Sequence, residues 1–188
     1  MNTIKWIALG AILSLPACVG GNKGGTRYED PSAMAVLEPT EGSTVRGAID
    51  FVRKGGSVLV TANLSGLAPN SIHGMHIHEN GDCSARDASS AGAHFNPSAS
   101  EHGGSTGPQR HGGDLGNLTA DARGNVAATV EVDGAIAFGN GPDSIVGRGL
   151  VVHANADDLK SQPAGNSGAR LACGVITRNP DRIRRAEG

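Results

Sequence analysis

Apolar and polar side chains alternate with a period of two along most of this chain, the signature of extended strands with one buried face. Val45, Ile49 and Phe51 fall on one side of such a segment, with Arg46 and Asp50 on the other. The pattern returns at Val58, Val60, Ala62 and Leu64, and at Val126, Ala128, Val130 and Val132. It continues in the apolar runs Leu150-Val151-Val152 and Leu171 to Ile176. Turn-forming clusters punctuate these segments at Gly55-Gly56, Ala68-Pro69-Asn70, Ala122-Arg123-Gly124-Asn125 and Gly139-Asn140-Gly141-Pro142. The pattern predicts about eight short strands and hence an all-β sandwich or barrel. Residues 80–114 and 154–169 do not alternate, and loops of that length in a compact domain are usually functional or pinned.

Composition sharpens this picture. A chain of 188 residues has room for one ordinary domain and an extension. With 29 glycines and only 3% aromatics, its core is expected to be built from Val, Ile, Leu and Ala, and a helical bundle is a poor fit. The formal net charge of −2 leaves no basic footprint, so no nucleic-acid partner is expected. Residues 1–17 read as an export signal, with Lys5 ahead of an apolar run from Trp6 to Leu15 that is too short to span a bilayer. Leu15-Pro16-Ala17-Cys18 resembles a bacterial lipobox, which would make Cys18 a lipidated first residue on a flexible tether over 18–32; ordinary cleavage after Ala17 is the alternative. The expected location is the bacterial cell envelope, facing the periplasm, with membrane contact only through that lipid anchor. Setting Cys18 aside leaves Cys83 and Cys173, an even pair in a compartment where a disulfide persists.

Six of the seven histidines form a series in which the chemistry concentrates: His76, His78, His94, His102, His111 and His153. His76 and His78 are separated by one residue, so on a strand both imidazoles project from one face and can close on one ion. His94, His102, His111 and Asp114 offer three nitrogens and one carboxylate, a set that satisfies tetrahedral zinc with no open position, as a structural ion requires. His76, His78, His94 and His153 form an all-nitrogen set suited to copper. His94 serves both sets only if one imidazolate bridges two ions, which the spacing permits without requiring.

Several motifs in order carry a resemblance to a known family. They are Gly74-Met75-His76-Ile77-His78-Glu79, Ser90 to Pro97 around His94-Phe95-Asn96, and His111-Gly112-Gly113-Asp114-Leu115-Gly116-Asn117. Gly147 to His153 and Gly168-Ala169-Arg170-Leu171-Ala172-Cys173-Gly174-Val175-Ile176 complete the series. Over residues 33–178 the chain resembles copper/zinc superoxide dismutase of the bacterial periplasmic or lipoprotein type, a family that itself exemplifies the β-sandwich architecture. The resemblance implies an eight-stranded antiparallel Greek-key β-barrel with two long functional loops. It also implies one copper on His76, His78, His94 and His153, and one zinc on His94, His102, His111 and Asp114. Asp157 resembles the carboxylate that orients one histidine of each site, with Asp158 the competing candidate. Arg170, three residues before Cys173, would hold the superoxide anion beside the copper, and His94 would also carry a proton.

Some features depart from the family pattern. The segment from Cys83 to His94 is longer than in the eukaryotic enzymes, and the 158–169 loop is short, with Lys160 its only lysine. Whether the chain is a monomer or a homodimer stays open. His73 has no assigned family role and is expected as an exposed loop side chain or an auxiliary copper-capturing residue with Met75. The Arg178-to-Arg185 stretch, with four arginines, is expected to be frayed and solvated, with 179–188 as a basic tail. The alternative function is a non-enzymatic periplasmic copper/zinc-binding protein, which would use the same ligands without turnover. A zinc hydrolase is a poorer fit, because no His-Glu-x-x-His motif is present.

Overall fold

The computed structural model describes residues 32–133 and 136–179. The expected signal segment, Cys18, nearly all of the expected tether and the tail beyond Asn179 lie outside the described residues. Among the described residues there is no α-helix, and nine strands carry the fold. They are β1 (Ser32–Pro39), β2 (Arg46–Lys54), β3 (Ser57–Ser65), β4 (Ile72–His78), β5 (Asp114–Thr119), β6 (Val126–Asp133), β7 (Gly149–His153), β8 (Arg170–Val175) and the two-residue β9 (Thr177–Arg178).

Neighbours run β5-β4-β7-β8-β1-β2-β3-β6, with β9 added to β1, and every pairing between strands is antiparallel. The end strands β5 and β6 approach each other, so the sheet closes almost completely into an eight-strand barrel. The adjacency of β3 with β6 and of β4 with β7, strands not consecutive in the chain, is the crossover pattern of a Greek key.

The alternation in the sequence sets the core. Ile49, Phe51, Val58, Val60 and Ala62 are fully buried, while Arg46 and Asn63 point outward. Met75 and Ile77 of β4 join the same core, which leaves His76 and His78 on the strand's opposite face. β1 and β5 lie outside the predicted alternation. In β1, Ala33, Ala35 and Leu37 are buried but Met34 and Val36 between them are also apolar, so the period has no polar contrast. In β5 the period is broken at Gly116, which takes a left-handed φ of 82°, and the β4–β5 register shifts between Gly74 and His76.

Two expectations require correction. His73 is a buried residue of β4 rather than an exposed loop side chain: its Nδ1 donates to the His153 carbonyl at 2.8 Å and its Nε2 meets the Ser71 hydroxyl at 2.5 Å. A carbonyl at one ring nitrogen and a hydroxyl at the other occupy both, which leaves His73 no free donor for capturing copper. Arg178 is paired with Ala33 in β9 rather than frayed, because β1 presents backbone groups there that need partners.

Candidate metal centre

Two long loops converge on β4 and β7. The first joins β4 to β5 and brings His94, His102 and His111; the second joins β7 to β8 and brings Asp157. The Cys83–Cys173 disulfide ties the first loop to β8 across 90 residues of sequence. All eight side chains of the site are buried: His76, His78, His94, His102, His111, Asp114, His153 and Asp157.

Three imidazoles converge on Asp114. Its Oδ1 stands 3.1 Å from His94 Nδ1, 3.0 Å from His102 Nδ1 and 3.3 Å from His111 Nδ1. Its Oδ2 is already engaged, accepting from the backbone N–H groups of Gly103 at 3.0 Å and His111 at 2.8 Å. Donors held tetrahedrally around zinc stand roughly 3.3 Å apart, so Asp114 Oδ1 stands from each of the three nitrogens at about the spacing of that polyhedron.

The other cluster is fixed by backbone carbonyls. His78 Nδ1 donates to Gly92 O at 2.9 Å and His153 Nδ1 to Gly168 O at 3.2 Å. A carbonyl only accepts, so each ring carries its proton on Nδ1 and aims a bare Nε2 lone pair inward. The two Nε2 atoms face each other at 3.3 Å with no proton to share, an arrangement that a cation between them resolves. His76 is turned the other way: its Nε2 bonds Asp157 Oδ2 at 2.8 Å and frees Nδ1. Burial pushes His76 down to about 4, His78 to about 2 and His153 to about 3, keeping these rings neutral as ligation requires.

Four buried ring nitrogens find no hydrogen-bond partner: His76 Nδ1, His94 Nε2, His102 Nδ1 and His111 Nδ1. Each aims into one of the two clusters. Buried polar atoms are rarely left unpaired, so these orphans are the mark of metal ligands. The donor atoms of each predicted set, His76/His78/His94/His153 and His94/His102/His111/Asp114, lie within 4.8 Å of one another. His94 belongs to both, with Nδ1 toward Asp114, Nε2 unpaired, and its ring stacked on that of His76 at 3.9 Å between centroids.

Asp157 joins the two clusters. Its Oδ2 accepts from His76 and its Oδ1 from His102 Nε2 at 2.9 Å. Asp158 turns away, accepting from the backbone N–H groups of Lys160 and Ser161 and from Asn166. Gly165 makes room for the Asp157–His102 bond: at its φ of +61°, a Cβ would sit 1.8 Å from Asp157 Oδ1. Asn117 was legible in a motif but carried no expected role. Its amide grips the Asp157 backbone twice, accepting from the N–H at 2.8 Å and donating to the carbonyl at 2.9 Å.

Burial disfavours charge on His102, but the two flanking carboxylates, Asp114 with its Oδ1 3.0 Å from Nδ1 and Asp157 bonded to Nε2, outweigh it and raise the ring to about 9. The same bonds hold both carboxyls well below the usual carboxylate range against the opposing effect of burial. Up to about pH 9 His102 therefore holds a second proton, on the Nδ1 that faces Asp114 Oδ1. That proton's stabilisation is fully present below pH 6.5 and is lost as pH rises through about 9. Zinc must displace the proton, so binding near neutral pH is expected to release about one proton from His102, and the release should fade above about pH 9. Calorimetric titration in buffers of different ionisation enthalpy measures this; a release that does not change with pH would rule the assignment out.

A cavity of about 500 Å³ opens onto the four-imidazole cluster, lined in part by His78, His94, His153, Pro163, Ala164 and Arg170. Arg170 heads β8, half-buried, and its guanidinium donates to Ala88 O and Gly92 O at 2.6 Å each. Both carbonyls lie in the loop that Cys83 anchors, so the disulfide and Arg170 secure the same segment.

Known proteins bear on this site. A family model described as copper/zinc superoxide dismutase matches residues 45–176. The crystal structure of the clock protein EA4 is similar at a TM-score of 0.71 and 39% sequence identity, covering 80% of this chain and 96% of that one.

Proposed function

The chain belongs to the copper/zinc superoxide dismutase family, and from that membership we propose that it converts superoxide to oxygen and hydrogen peroxide. Copper would be held by His76, His78, His94 and His153, and zinc by His94, His102, His111 and Asp114. The observation that carries the reading is His94, one buried ring that belongs to both donor sets, with Nδ1 at Asp114 and Nε2 left without a hydrogen-bond partner.

Copper, when bound, supplies exchange of a single electron in either direction, which disproportionation of two superoxide anions and two protons needs. The protein's residues do the rest. Arg170 attracts the anion and orients it at the cavity floor, its guanidinium held in place by two carbonyls. His94 Nε2 takes up a proton in one half of the cycle and returns it to the peroxide in the other. Its Nδ1 stays turned to Asp114, so the ring keeps its place while Nε2 changes role. Asp157 fixes His76 and His102, which lets neither side of the centre drift when that happens.

Export to the periplasm, cleavage of residues 1–17 and lipidation at Cys18 belong to the same proposal, supported by the lipobox-like Leu15-Pro16-Ala17-Cys18 and by a disulfide that suits an oxidising compartment. The test of function is superoxide decay with the chain loaded with one copper and one zinc, beside the chain carrying zinc alone. Fast decay that requires copper supports the enzyme; background decay with both ions bound leaves a metal store.

Arg170→Glu sets a negative charge where the anion must approach. The superoxide rate constant is expected to fall about tenfold or more at low salt, with the gap narrowing as ionic strength rises. An unchanged rate at low salt would remove Arg170 from the mechanism.

A further inference from the structure

Outside the metal ligands and Asp157, one exposed side chain binds the two long loops together. The amide of Gln162, in the β7–β8 loop, grips the backbone of His102 in the β4–β5 loop. Gln162 Oε1 accepts from His102 N–H at 2.8 Å, and Nε2 donates to His102 O at 3.0 Å and to Lys160 O at 3.2 Å. This is the same two-point grip that Asn117 applies to Asp157, so each end of the Asp157–His102 bond has its backbone held by a side-chain amide from elsewhere. Gln162 fills no core space, and its hydrogen bonds engage only backbone atoms.

The residues that follow it give the grip a consequence. Pro163 and Ala164 line the cavity over the four-imidazole cluster, and neither carries a side-chain polar group that could anchor it. We propose that Gln162 is a positioning residue that fastens this cavity wall to His102, so that metal in the His94, His102, His111 and Asp114 set orders the wall through Gln162. The inference rests on the reading of that set as a zinc site, and not on turnover. Metal fixes the His102 ring at Nδ1, the His102 backbone is then held still, and the Gln162 amide passes that order to residues 161–165. Coupling of this kind is reciprocal: if zinc orders the wall, an ordered wall must also hold zinc more tightly, by the same factor.

Hydrogen exchange on the copper-free chain, with and without zinc, tests the proposal. Three amides report. His102 N–H is bonded to Gln162 itself, Gly165 N–H donates to Ser161 O at 2.7 Å within the wall, and Leu159 N–H donates to Asp157 Oδ1 at 2.7 Å on an independent tie to His102. In the unaltered chain zinc is expected to slow exchange at all three. In Gln162→Ala the zinc-dependent slowing should shrink about tenfold at His102 and Gly165 and persist at Leu159. Zinc release to a chelator should quicken by a similar factor. Gln162→Glu keeps the acceptor for His102 N–H but not the donors, and is expected to fall between the two.

An equal zinc-dependent gain at Gly165 in Gln162→Ala overturns the proposal. So does a loss of protection that is the same with and without zinc, because that is the mark of a purely structural bond. Because no copper is present, a chain that fails as a dismutase would leave these outcomes unchanged, and failure of the coupling would leave the dismutase reading intact.

Discussion

Reducing the Cys83–Cys173 bridge, or replacing both residues in Cys83→Ser/Cys173→Ser, is expected to lower stability by about 4.6 kcal/mol, the loop-closure value for a cross-link spanning 90 residues. Denaturant unfolding of the zinc-loaded chain measures it, as a lower midpoint with a steeper slope, because the unfolded chain freed of the cross-link exposes more surface. A second effect should accompany the first. Cys173 is buried against Val151, Ala88 and Ala91, and the bridge holds the segment whose carbonyls at Ala88 and Gly92 fix the Arg170 guanidinium. Gly92 O also fixes the His78 proton on Nδ1. Freeing that segment should therefore slow turnover beyond what unfolding explains. A shift below about 1 kcal/mol would mean that the metal and the loop contacts already constrain the chain as much as the cross-link does.

Asp157→Ala is expected to weaken zinc and copper each by about 10–100-fold, although Asp157 is a ligand to neither. The reason is the pair of bonds from one carboxylate to His76 and His102, which set the tautomer of the first and the orientation of the second. Without it, the His76 proton can move to Nδ1, the atom that must face copper. Competition titrations with each metal separately measure the effect. A loss confined to one metal would show that the two bonds are not equivalent and that Asp157 serves a single site. Asp157→Asn refines the result, since an amide can still accept from one ring but not from both.

Much of the fold was legible because it is local. Val58, Val60, Ala62 and Leu64 could be assigned to a buried face from the two-residue period alone, and all four are buried. β1 and β5 were not legible, one for want of polar contrast and the other because Gly116 breaks the period. Both predicted donor sets come together, because the residue types and the loops that carry them were both visible. The roles of Asn117 and Gln162 were not legible, because side-chain amides gripping a distant backbone leave no periodic or compositional trace.

The sequence by itself determined most of the strands, the donor chemistry and the cysteine pair, since periodicity, ligand type and parity are properties of residues taken in order. Tertiary structure alone decided which atom of each residue does the work. His78 offers Nε2 and His76 offers Nδ1 because a carbonyl of Gly92 meets one ring and a carboxylate of Asp157 the other. Asp157 was chosen over Asp158 because Gly165 and Asn117 leave space and anchorage for it. His73 was drawn into the interior by the carbonyl of His153, 80 residues away. A proton's place on a ring depends on acceptors brought near by folding, and no local pattern in the chain encodes them.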